Sequence, residues 1–178
     1  MAWTSAFNAV QEEGVIDNIL FIVKRDFKDA LDAFHPIEAE LTDADPRYLR
    51  DFQEREWGGI SGMVFPALAV GPNRTASTLA DAGDRLRGAI EFSSWIAVTD
   101  DSRSNVGRRI TRYANAYEMV LRTAALKNKR DFFRNMSVQS FGLVLDEIEH
   151  FYGPVGGPRD SIYLQSVRVN GTLIIHER

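Results

Sequence analysis

Two stretches of this chain repeat apolar residues at intervals of three and four, and between and after them the apolar residues alternate. That order constrains the fold more than any other feature. A helix with one apolar stripe and a strand with one apolar face must each bury it against another element. The first stripe is Ile16, Ile19, Leu20, Val23, Phe27, Ala30, Leu31 and Phe34, with Asp17, Lys24, Arg25, Lys28, Asp29 and Asp32 on the other faces. It predicts a helix over 16–34, ended by His35-Pro36, because a residue before proline is pushed out of the helical region. The second stripe is Ile110, Tyr113, Ala114, Tyr117, Leu121 and Ala124, and predicts a helix over about 106–126 with Ser104 or Asn105 as its cap.

The strand signals are shorter. VFPALAV at 64–70 reads as a strand whose Pro66 suggests a sheet edge or a bulge. The polar segment 71–84 reads as a loop. Residues 87–99 form a long strand, in which the alternation Ile90, Phe92 changes phase to Trp95, Ala97 at Ser93-Ser94, as a bulge would produce. Residues 127–134 form a basic link. Phe141, Leu143 and Leu145 alternate before Ile148, which gives a strand within 138–151. Two closing strands, 162–169 and 172–176, flank Asn170-Gly171, a strong hairpin signal because both residues tolerate positive φ. The stretch 36–62 is an acidic, irregular excursion, in which Asp45-Pro46 could open a short helix. The whole predicts a single α+β domain over 1–178: a mostly antiparallel sheet with helices packed on one face.

A chain of 178 residues can bury a substantial core. It has no cysteine, which excludes a disulfide framework and any thiolate metal site. Neither a secretory signal nor an apolar run of roughly 18 residues is expected, so no membrane segment is expected either. The net charge of −4 hides an asymmetry. Residues 103–134 hold nine bases against Glu118 and Asp131, a local charge of +7, which leaves −11 for the remainder. Such a chain can pair with copies of itself or with an acidic partner.

No constellation completes a catalytic centre. His35, His150 and His176 are scattered, without the spacing of a zinc site. The glycines of GPVGGP at 153–158 lack the Lys-Ser or Lys-Thr of a phosphate loop. Asp100-Asp101 sits where a strand hands over to a helix and suits the positive helix end. The densest acidic group is Asp146, Glu147, Glu149 and His150. On a regular strand Asp146 and His150 would share a face, and Asp146 with Glu149 could serve a metal-dependent nuclease. The plainer reading is a solvated strand end. Arg108, Arg109 and Arg112 could contact phosphate, as in a nucleic-acid-binding module, but the acidic balance of the chain argues against DNA binding as its main task.

From Met63 to Arg178 the chain resembles the tail terminator (tail completion) proteins of long-tailed bacteriophages. The resemblance is carried by FPALAV, the strand RGAIEFSSWIAVTD, the helix NVGRRITRYANAYEMVLRTA with Tyr113 and Tyr117, and the closing YLQSVRVNGTLIIHER. The helix over 16–34 suits the one such proteins place first. Other neck proteins, head-completion or stopper subunits, are similar in size and also form rings. The resemblance implies a structural virion subunit, assembled in the host cytoplasm, without catalysis, cofactor or metal. It implies a six-fold ring that caps the tail tube, meets the head-side connector or stopper protein, and lets genomic DNA through its lumen without sequence-specific binding. A ring needs two different, complementary patches on each subunit. Arg108, Arg109 and Arg112 are expected to form one, and acids of the excursion, Glu54 and Glu56, the other.

Overall fold

The computed structural model describes residues 3–34, 51–54, 64–79, 86–134, 141–156 and 162–177. In chain order these form helix α1 (Trp3–Ala33), strands β1 (Asp51–Glu54), β2 (Ala67–Leu79) and β3 (Leu86–Asp100), helix α2 (Arg103–Lys127), a 3-10 turn (Lys129–Phe133), and strands β4 (Phe141–Tyr152) and β5 (Tyr163–Glu177). One sheet runs in the order β1-β2-β3-β5-β4. β1 pairs with β2 in parallel, and every other pairing is antiparallel. The fold is α+β.

The two helices pack against each other and cover the sheet, α2 across β3, β5 and β4, and α1 across β2 and the 3-10 turn. Every residue of the predicted 16–34 stripe is buried or half-buried. Val15, Asn18 and Ile22 are buried as well, so α1 is enclosed on more than one side between residues 15 and 23. Its polar member is accounted for: Asn18 Nδ2 donates to the carbonyls of Phe132 (3.0 Å) and Arg134 (3.1 Å) and so ties the 3-10 turn to the helix. Arg25 Nη2 meets Asp131 Oδ2 at 2.8 Å across the same junction. A single buried Ile or Leu contributes about 1.5–3 kcal/mol, against about 0–1 kcal/mol for an exposed ion pair. Apolar burial therefore sets this contact, and Arg25 only trims it.

β3 departs instructively from its sequence reading. Its register against β5 is continuous through Ser93-Ser94, so no bulge lies there. Ile90, Phe92, Ser94, Ile96 and Val98 share the helix-covered face, and all are buried. The phase never changes; Ser94 merely occupies an apolar position. The bulge lies instead on β2, where Pro72 opposes Phe92 and Arg74 opposes Glu91, leaving Asn73 unmatched. A proline lacks the N–H a regular ladder needs, and it is tolerated at this break. Strand β2 also runs through residues 71–79, read as loop, while Pro66 precedes it; β1 pairs outside Ala67–Val70, so the start of β2 next to Pro66 is not an edge. β1 itself lies inside the excursion read as irregular. The short helix expected at Asp45-Pro46 falls outside the described residues.

The closing hairpin is replaced by a single strand. β5 runs unbroken from Tyr163 to Glu177, with Asn170 and Gly171 in mid-strand. Asn170 Oδ1 accepts a hydrogen bond of 2.8 Å from Ser93 Oγ on β3. Gly171 lies opposite Phe92, whose ring occupies the space a side chain would need: an added Cβ would come within 2.8 Å of Cε1 and closer to Cζ. The glycine thus serves a close approach between strands, with no turn to form.

Candidate functional site

α2 begins at Arg103, three residues before the expected Val106, because its cap is Ser102 rather than Ser104 or Asn105: the Ser102 Oγ accepts from the Asn105 N–H at 3.4 Å. The predicted inner stripe, Ile110 through Ala124, is buried throughout. The arginines of the first turns then separate by role. Arg108 points to solvent, on an outer stripe with Ser104, Thr111, Asn115, Arg122 and Leu126, all exposed. Arg109 is committed within the subunit: Nη1 donates to the Thr99 carbonyl at 2.7 Å and to Asp100 Oδ2 at 3.1 Å, locking the start of α2 to the end of β3. Arg112 is half-buried. Glu54 closes β1 at the edge of the sheet that α2 does not cover. Glu56 lies outside the described residues. The structure thus leaves Arg108 as the outward arginine of the predicted patch.

Asp100 is a junction residue. Burial pulls its carboxyl upward, but the Ser102 N–H (3.0 Å to Oδ1) and the Arg109 guanidinium hold it below the usual carboxylate range. A carboxylate with a depressed folded pKa adds stability above its unfolded pKa of about 3.9, and that stability is lost as pH falls through the folded value. Arg109→Met is therefore expected to leave a shallower loss of stability on acidification than the wild type shows. Urea midpoints measured from neutral pH downward test this; parallel curves would count against the junction.

On β4 the register against β5 shifts between Leu145 and Ile148, so Asp146 and Glu147 lie in a bulge. The bulge undoes the shared face expected of Asp146 and His150. His150 turns toward α2, where Nε2 lies 3.1 Å from Glu118 Oε2, and Glu118 Oε1 also accepts from Arg122 Nε at 2.6 Å. Asp146, Glu147 and Glu149 are exposed. Among the described residues no group of three or more His, Asp or Glu could hold a metal ion. No described helix is long and apolar enough to cross a membrane.

Two further arrangements escaped the sequence reading. Beneath α2, the Tyr117 hydroxyl and Ser94 Oγ share a hydrogen bond in the core, and burial pushes the phenol well above its ordinary range. On the face of the sheet away from the helices, Trp95, Arg168 and Phe151 sit abreast on β3, β5 and β4. The Arg168 guanidinium lies 4.9 Å from the centre of the Phe151 ring, within cation–π range. Only residue pairing across strands aligns that row, and spacing along the chain carries no trace of it. Neither a protein-family model nor a curated protein matches the chain.

Proposed function

We propose that the chain is a structural subunit of the neck of a long-tailed bacteriophage, a tail terminator that assembles as a six-fold ring, caps the tail tube and presents a surface to the head-side connector. The observation that carries the reading is the division of its surface. An exposed polar stripe carrying Arg108 and Arg122 runs along α2, while exposed acids and apolar side chains line β4. A head-to-tail ring contact requires two such unlike surfaces on each subunit. The resemblance from Met63 to Arg178 supplies the phage context.

Negative-stain microscopy of the purified protein, alone and with tail tubes, tests the proposal. Six-fold rings, or density capping tube ends, are the expected result. Rings that leave tube ends bare would favour a head-completion or stopper subunit. Monomers that ignore the tubes would overturn the reading and direct attention to magnesium-dependent DNA cleavage, with Asp146→Ala as its control.

A further inference from the structure

We infer that the acidic partner of the α2 stripe is β4 of a second copy of this chain, rather than the acids of the excursion. The inference rests on the ring reading and names its contact. β4 ends the sheet, and from Phe141 to Tyr152 it contains no Lys, Arg or Pro, the residues that ordinarily blunt an exposed edge. Val144, Phe151 and Tyr152 are among the exposed large apolar side chains, at 49%, 44% and 44% exposure. Asp146, Glu147 and Glu149 stand exposed beside them. Val144, Glu149 and Phe151 share the face of the sheet away from the helices, where Arg168 of β5 flanks Phe151, while Tyr152 lies on the other face. The exposed charged side chains of β4 itself are all acids.

Charge and geometry narrow the occupant. A second β4 laid alongside would bring these acids against their equals, and the bulge at Asp146-Glu147 interrupts the backbone edge such pairing needs. The other edge of the sheet, β1, carries Asp51 and Glu54, again the wrong sign. The outer stripe of α2 has what β4 lacks. Arg108 stands near one end of the stripe; toward the other are Arg122, paired with Glu118, and Leu126, 78% exposed, while Arg103 and Lys127 are exposed on the flanking faces of the helix. From Arg108 to Leu126 the helix extends about 27 Å at its usual rise. From Val144 to Phe151 a strand extends about 23 Å. Both surfaces thus offer apolar and charged groups of opposite sign over similar lengths. Being different surfaces of one subunit, they make a head-to-tail contact.

Charge reversal on each side, alone and combined, tests the inference. Arg103→Glu/Arg108→Glu and Glu147→Arg/Glu149→Arg are each expected to raise the concentration needed for assembly at least about tenfold, with melting transitions like the wild type's. An equimolar mixture of the two is expected to recover assembly, since alternating subunits restore an acid–base pair at every contact. Added salt should narrow the differences. Assembly that survives reversal of β4 but not of α2 would overturn the assignment to β4 while leaving the ring intact. So would a mixture that stays unassembled although both variants fold. A wild type that never assembles, alone or on tubes, would remove the ring reading itself and this contact with it.

Discussion

Gly171→Ala is expected to destabilise the fold by about 1–3 kcal/mol, lowering the melting temperature by several degrees, about 2–4 °C for each kcal/mol in a chain of this size. The added methyl would enter the space held by the Phe92 ring, which presses on Gly171 from the neighbouring strand. Neither side yields easily. Phe92 is buried in the core, and β5 is paired on both flanks. The effect should depend on Phe92: combining Gly171→Ala with Phe92→Leu, which frees part of that space, should cost less than the sum of the single changes. Urea or thermal unfolding of the four proteins measures the coupling. Additive losses would show that Gly171 is needed for its backbone alone, as a turn glycine would be.

Tyr117→Ala is expected to cost more, about 3–5 kcal/mol, because it empties one of the largest fully buried side-chain positions. That is a large part of the roughly 5–15 kcal/mol that holds a domain folded. The polar half of the site makes a sharper test. Tyr117→Phe strands the Ser94 hydroxyl, and Ser94→Ala strands the phenol, each at about 1–3 kcal/mol. The double substitution removes both partners and should lie nearer the wild type than either single change. Unfolding of the three variants decides between a satisfied pair and two independent contacts.

These two sites also show where sequence reading reached and where it stopped. Periodicity located both helices, the alternation in β3 and β4, and the α+β class, because an apolar stripe or face must be buried whatever covers it. It failed where a residue's environment came from a distant strand. Ser94 looked like a break in phase because its partner, Tyr117, lies on a helix the alternation cannot see. Asn170-Gly171 looked like a turn because local propensity is strongest for that pair, yet Ser93 and Phe92 across the sheet use both residues in extended form. The arginines were legible as a basic stretch, but Arg109's commitment to Thr99 and Asp100 depends on how β3 meets α2. The acids of β4 were noticed as a possible metal group, and only the bulge shows that they face outward while His150 turns in.

The position of β5 has a consequence for how the sheet is completed during synthesis. β5 follows β4 in the chain but lies between β3 and β4, pairing with both. A ribosome therefore releases β4 before the strand that joins it to the rest of the sheet exists. Until Tyr163–Glu177 emerges, β4 has no neighbour on either side, and β3 shows an open flank beside its buried face. Completion is an insertion into the middle of the sheet rather than an addition at its rim, and shortening β5 would open the centre of the molecule while leaving both outer strands in the chain.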